Sequence, residues 1–464
     1  MLLESLLLFA TLASAALPPI EIKGNAFFDS KSNDRFYIRG VDYQPGGASD
    51  FSDPLANLTV CTRDIAGFKD LGINTIRVYN VDNSANHDEC MKLLDDAGIY
   101  VILDVNTPQN SISRNEPILS YNAPYLQHVF ATIDSFKSYD NVLGFFAANE
   151  VINSVNTTDT ATTVKAVIRD MKNYIKAQNP SRRIPVGYSV ADVSENRFQQ
   201  IEYFNCGDDE MARADMIGIN DYSWCGSSSY RISGYADKVK QYGDISIPLF
   251  LSEFGCNKVT PREFSEITAI YSQQMSPVFS GGLVYEYTQE DNEYGLVKIS
   301  DGSGKDSVEY LEDFTNLKKQ YAAVVNPSGD GGYKSSGSAA SCPATESGVW
   351  EANTSLPAMP SRASVYLKSG AGEALGTDVP STQFGDPEEE ENRVISSVAS
   401  TASSSSLMAS SVGSSVGAAS QSASASTSKS AGSRCGAELL ARTDNGVILG
   451  GLVILGSLVF GVVF

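Results

Sequence analysis

Between Pro19 and Val325 the chain alternates short, nearly continuous apolar runs with longer stretches that carry one apolar face. The apolar runs are Arg35–Tyr43, Asn74–Asn80, Ile99–Asn106, Val142–Glu150, Ile184–Val190, Met216–Tyr222, Ile247–Phe254 and Gly281–Thr288. Continuous apolarity, rather than strict alternation, predicts strands covered on both faces. The stretches between them predict helices over Val60–Leu71, His87–Ala97, Tyr125–Ser138, Thr160–Gln178, Glu195–Phe204, Tyr230–Tyr242 and Arg262–Met275. Several reach a glycine, as Asp70–Gly72 and Asp96–Gly98 do, which is a common helix stop. Eight strands alternating with helices predict an α/β fold, a (β/α)8 barrel rather than an open doubly wound sheet. No glycine-rich phosphate loop opens a helix after the first strand, which disfavours nucleotide binding.

Barrel active sites form where the strands end. Those ends supply Tyr43 and Gln44, Tyr79 and Asn80, Asp104 and Asn106, Asn149 and Glu150, then Asp192, Asn220 and Tyr222, Glu253, and Tyr285 and Tyr287. Carboxylates, amides and phenols dominate, the groups that hydrogen-bond sugar hydroxyls and stack on pyranose faces. Glu150 closes the fourth strand and Glu253 the seventh. Two carboxylates converging on one cleft are what a retaining glycosidase needs, one as acid/base and one as nucleophile, about 5–5.5 Å apart. Glu150 is the candidate acid/base and Glu253 the candidate nucleophile. Asn149 is placed to hold the sugar 2-hydroxyl, and a tyrosine of the eighth strand to bond Glu253.

Charge narrows the partners. With 34 basic against 55 acidic residues the net charge is −21, which argues against nucleic acid or an anionic membrane surface. Only His87 and His128 occur, neither beside a second histidine or a cysteine pair, so no metal site, no cofactor and no histidine triad is expected.

The termini read differently. Residues 1–15 have an apolar stretch ending in small residues, predicting a signal peptide cut after Ala15 or Ala16, although Glu4 stands where positive charge is usual. Composition shifts after Val325. Residues 326–395 are expected to be a linker or extension with an acidic run at Gly385–Asn392, and residues 396–433 a Ser/Ala-rich stalk. Residues 434–464 end in an apolar run (Gly446–Phe464) with no basic stop-transfer cluster. This predicts a GPI-attachment signal with Ser430 as the attachment site, a retained membrane span being the alternative. Seven cysteines in an exported chain should mostly pair, and loss of Cys435 with the tail leaves six. Asn57, Asn156 and Asn353 begin N-glycosylation sequons.

Longer stretches carry a resemblance: FYIRGVDYQPGG, CTRDIAGFKDLGINTIRVYNVD, GIYVILDVNTPQNSISR, NVLGFFAANEV, GYSVADVSENR, DYSWCG, LFLSEFGCN and FSGGLVYEYTQEDNEYGLV. From Ile22 to Val325 the chain resembles the fungal GPI-anchored β-1,3-glucanosyltransferases of glycoside hydrolase family 72. The resemblance implies Glu150 as acid/base and Glu253 as nucleophile. It implies glucan contacts from Tyr79, Asn149, Asp192, Arg197 and Tyr285 and from the Asn106–Arg114 loop, with Gln44, Asp104 and Tyr222 at further active-site positions. It also implies disulfides Cys61–Cys90, Cys206–Cys342 and Cys225–Cys256. Only Cys342 and Cys435 follow the barrel, as in the shorter subfamily without a cysteine-rich glucan-binding module. The expected partners are β-1,3-glucan donor and acceptor chains and, through the anchor, the outer membrane leaflet, with the protein a monomer. A hydrolytic endo-β-1,3-glucanase and a catalytically silent wall-binding protein are the alternatives.

Overall fold

The computed structural model describes residues 16–48, 50–300 and 307–385. The signal peptide, stalk, Ser430, Cys435 and anchor signal expected from sequence lie outside them. Eight parallel strands close into a barrel in the order β1 (Ile38–Asp42), β2 (Thr75–Val78), β3 (Tyr100–Asp104), β4 (Val142–Asn149), β5 (Val186–Val190), β6 (Met216–Asp221), β7 (Leu249–Phe254) and β8 (Phe279–Val284), with β8 returning to β1. Each of the eight predicted runs contains one barrel strand.

Around the barrel lie α1 (Leu58–Leu71), α2 (Asp88–Asp96), α3 (Ala123–Phe136), α4 (Ala161–Gln178), α5 (Arg197–Phe204) and α6 (Tyr235–Gln241). Their ends follow local chemistry. Asn57 and Asn122 cap α1 and α3 by accepting backbone N–H bonds, and Gly72 ends α1 at φ 72°, a left-handed conformation that costs glycine nothing. The helix expected over Arg262–Met275 does not form as one element: only Ile267–Ile270 is α-helical, amid turns. Arg262 is instead drawn to Asp313 and to the carbonyls of Gly255 and Tyr285, so tertiary bonds compete with helix propagation there.

Two sets of apolar contacts hold the layers. One lies between strands and helices and runs around the molecule. The other fills the barrel interior with Ile38, Ile102, Leu143, Phe146, Phe250 and Leu283. The expected first strand divides: Arg35–Phe36 joins an antiparallel sheet with Ile20–Lys23 and Ala26–Asp29, and only Ile38–Asp42 enters the barrel. Phe27 of that sheet meets Phe250 edge-on at 5.9 Å, closing the lower end of the barrel.

All three expected disulfides are formed: Cys61–Cys90 joins α1 to α2, Cys225–Cys256 joins the loops after β6 and β7, and Cys206–Cys342 ties the post-barrel chain to the end of α5. That post-barrel chain is more than a linker. After α7 (Glu312–Ala323), residues 326–385 form a strap that meets the helices and loops around the barrel. Trp350 is fully buried 5.3 Å from Tyr203, whose hydroxyl donates to the Asn353 carbonyl at 2.6 Å. Farther on, Gln127 of α3 donates to the carbonyls of Ala371 and Glu373. Asn57, Asn156 and Asn353 are all exposed.

Candidate active site

Inward positions change character along each strand. They run Ile38, Gly40, Asp42 in β1; Thr75, Arg77 and then Tyr79 in β2; Tyr100, Ile102, Asp104 in β3; Met216, Gly218, Asn220 in β6. The apolar members fill the barrel and the polar ones arrive at its mouth. Gly218 is small because Ser252 and the Phe146 ring already occupy the space a Cβ would need.

Both glutamates follow a slip in strand register. On β4, Phe146 pairs with Gly187 but Asn149 with Ser189, so β4 carries one extra residue just before Glu150. On β7, Leu251 pairs with Ile219 but Glu253 with Asn220, the same one-residue excess. An added residue turns the following side chain to the other face of the sheet. Ser252 keeps the inward face of Phe250, bonding Asn220 Oδ1 at 2.8 Å, and the slip brings the adjacent Glu253 to the mouth as well.

Arg77 is fully buried beneath the mouth, 4.3 Å from the Tyr79 ring centroid and 4.9 Å from that of Phe146. Its Nε and Nη2 hold the two oxygens of Asp104 at 3.0 and 2.8 Å, and Nη1 donates to Glu253 Oε1 at 3.2 Å. Glu253 also accepts the Tyr79 hydroxyl on Oε1 and the Tyr222 hydroxyl on Oε2, each at 2.8 Å. Burial pushes this carboxyl up, while Arg77, Tyr222 and Tyr79 favour its charged form. Its orientation is fixed by donors on both oxygens.

Glu150 sits in a different environment. Its Oε1 accepts the side-chain amide of Asn220 at 2.8 Å. Burial first, and the negative charge of Glu253 second, lift its pKa from the ordinary 4.5 to about 7. Its backbone is left-handed, φ 49°, a conformation costing a non-glycine residue about 1–2 kcal/mol. Two bonds hold it there: Glu150 N–H donates to the Ser189 carbonyl at 2.9 Å, and Arg114 Nη2 donates to the Glu150 carbonyl at 2.6 Å.

Two further carboxyls surround this pair. Asp42 is fully buried, neither oxygen meets a donor, and burial raises its pKa well above the usual range. Glu286 accepts the Asn292 amide at 2.7 Å and is pushed by burial up to about 8.

The mouth opens into a recess lined by Tyr79, Asp104, Asn106, Pro108, Ser111 and Asn149, among others. Tyr285 forms an aromatic wall, its ring edge-on to Tyr79 at 6.5 Å, Tyr222 at 6.4 Å and Tyr294 at 5.3 Å. Asp192 and Arg197 pair with one another, and Asp192 accepts the Tyr222 backbone N–H at 3.1 Å. Arg197 also faces Asp221 at 3.6 Å. This ion-pair group thus steadies the loop that carries Tyr222.

The sequence-derived set is largely gathered here, with some reassignment. Gln44 is buried and its side chain is committed to backbone, donating to the Ser52 carbonyl and accepting Asn80 N–H. Asn106 is fixed by the Ala147 carbonyl and the Tyr125 hydroxyl. Tyr43 and Tyr287 point away from the cleft into the helix layer, packing on Phe68. The bond to Glu253 expected from an eighth-strand tyrosine comes instead from the residues just beyond β2 and β6, Tyr79 and Tyr222. Arg77, Asp42, Glu286 and Tyr294 were not anticipated. Arg77 had a signal: a charged residue inside an otherwise apolar strand, two positions before Tyr79 and so on the same face.

The arrangement offers a well-bonded carboxylate and a partly neutral acid in one cleft, the requirements for acid-assisted glycosyl transfer. Comparison with known proteins accords with this chemistry. A family model described as glucanosyltransferase, glycoside hydrolase family 72, matches residues 9–325. The 1,3-beta-glucanosyltransferase GAS5 of Saccharomyces cerevisiae is 64% identical over 378 residues, 81% of this chain and 77% of that protein. The 1,3-beta-glucanosyltransferase gas4 of Schizosaccharomyces pombe is 58% identical over 395 residues, 82% and 84% of the two chains. Among solved structures, a Saccharomyces cerevisiae Gas2p mutant in complex with laminaritetraose and laminaripentaose is 44% identical, with a TM-score of 0.69 over 75% of this chain and 76% of that one. The chain belongs to the glucanosyltransferase family, glycoside hydrolase family 72.

Proposed function

We propose that this protein is a retaining β-1,3-glucanosyltransferase that elongates cell-wall β-1,3-glucan. The observation that carries the reading is the unequal treatment of its two glutamates. Glu253 holds three donors including a guanidinium, while Glu150 has one amide and a pKa of about 7. The relatives named above, and the laminari-oligosaccharides bound by Gas2p, support the substrate class.

In the first step Glu253 carboxylate attacks the anomeric carbon of an internal β-1,3 linkage. Glu150 gives its proton to the departing 3-oxygen, and the reducing-end fragment leaves. A glucosyl ester on Glu253 results. Esterification removes the charge that helped to raise the Glu150 pKa, so Glu150 then stands as a carboxylate able to accept a proton. In the second step the 3-hydroxyl of another chain's non-reducing end loses its proton to Glu150 and attacks the same carbon. The ester breaks, and two inversions give a new β-1,3 bond. Tyr79 and Tyr222 hold the nucleophile, and Asn149, Tyr285 and the Asn106–Arg114 loop contact the glucan.

The same proposal places the enzyme at the cell surface as a monomer, with catalytic residues 16–325, the strap, a Ser/Ala-rich stalk and a GPI anchor at Ser430. Product sizing with a reduced laminarioligosaccharide tests the reaction: products longer than the substrate establish transfer. Shorter products alone would establish hydrolysis and overturn it.

A further inference from the structure

The strap ends on the loop that lines the recess. Within that loop, backbone bonds between Thr107 and Asn110 close a tight turn and leave the carbonyls of Pro108 and Gln109 facing outward. The strap takes both. Ser381 Oγ and Thr382 N donate to the Gln109 carbonyl at 3.0 Å, and Gln383 Nε2 donates to the Pro108 carbonyl at 3.3 Å and to Ser111 Oγ at 2.6 Å. The strap is itself held in place. Asn122, the cap of α3, donates to the Thr382 carbonyl at 2.7 Å, and Gly376 N–H donates to Asn83 Oδ1 at 3.0 Å in the loop after β2. Pro108 and Ser111 are walls of the recess on their other side.

We infer that Gln383 is a positioning residue for glucan binding: through Ser111 and Pro108 it sets the wall of the recess, so that the strap completes an oligosaccharide site the barrel alone leaves loose. The inference rests on the glucan reading above. A wall loop that must otherwise be ordered by the ligand weakens binding by the cost of ordering it. Because Gln383 is remote from Glu150 and Glu253 in its contacts, its loss acts on binding and spares the chemical step.

The test uses the full chain with Gln383→Ala, compared with Lys334→Ala, which loosens the strap near the barrel floor by removing contacts to Gly243 and Asp244. Laminaripentaose binding is measured by calorimetry on a Glu150→Gln background, and KM and kcat on the active enzyme. Loss of one such hydrogen-bonded support is expected to weaken pentaose binding and raise KM about two- to tenfold, with kcat and melting temperature preserved. Lys334→Ala should leave affinity unchanged. Unaltered affinity in folded Gln383→Ala, or an equal loss in Lys334→Ala, overturns the inference while the glucan reading stands. Failure of the parent to bind pentaose overturns that reading and takes this inference with it.

Discussion

Asn220 joins the two glutamates: its Nδ2 donates to Glu150 Oε1 at 2.8 Å, and its neighbour in the β6–β7 ladder is Glu253. The amide has one orientation available. Its Oδ1 accepts hydroxyls from Ser252 at 2.8 Å and Ser189 at 3.1 Å, which turns the NH2 toward Glu150.

That bond favours the ionised form of Glu150, so removing it raises a pKa already near 7. In Asn220→Ala the alkaline limb of the pH profile of kcat/KM should move up by about half a unit or more, one hydrogen bond being worth about 1 kcal/mol and one pH unit about 1.4. A limb that stays or moves down would contradict this role.

Glu150→Gln and Glu253→Gln keep the shape of each side chain and remove its acid or nucleophile. Each should lower transfer by about 100-fold or more, general acid catalysis alone contributing about 10²–10⁴-fold. The proteins should still fold. Product formation on reduced laminarioligosaccharide is the measurement, and wild-type turnover by either variant would refute the assignment.

Arg77 neutralises Asp104 and Glu253 from a fully buried position. Arg77→Met strands two buried carboxyls and should cost about 3–5 kcal/mol of stability. Adding Asp104→Asn should recover part of the loss, because one stranded charge is gone. Urea unfolding of the single and double variants decides it: additive losses would mean the pair is not coupled.

Glu150 also makes stability depend on pH. Its folded pKa is raised, so the native state binds a proton that the unfolded chain releases between 4.5 and about 7. Its contribution is fully present below 4.5 and is lost as pH rises through about 7. Across that window the melting temperature of the wild type should fall more steeply with rising pH than that of Glu150→Gln. Parallel curves would show that the group is not perturbed.

Cys206–Cys342 spans 136 residues and anchors the strap beside buried Trp350. Replacing both cysteines by alanine should cost about 2–5 kcal/mol. Proteolysis within residues 343–385 should quicken as the strap loosens. A strap as resistant as before would show that its packing suffices without the bond.

Much of the scaffold was legible along the chain. Apolar runs long enough for one strand each, broken by glycine-capped amphipathic stretches, admit few arrangements besides a barrel. Both glutamates stood out because each closes such a run. Of the strap only its tie through Cys342 was legible: its other contacts are mostly single side chains meeting distant carbonyls, as Tyr203 meets Asn353, and these leave no periodic trace. The Arg262–Met275 segment failed for a related reason, since its helical pattern lost to ion pairing with Asp313.

By itself the sequence determined the number of strands, the end of the barrel that carries polar groups and two candidate carboxyls at strand ends, because periodicity and residue type are local. Tertiary structure decided which way those carboxyls face and how each is charged. An extra residue in β4 and another in β7 re-aim Glu150 and Glu253. The arginine, amide and phenols that tell them apart come from β2, β6 and the loop after β6. Field and solvent exclusion are properties of what surrounds a group in space, and no spacing along a chain encodes them.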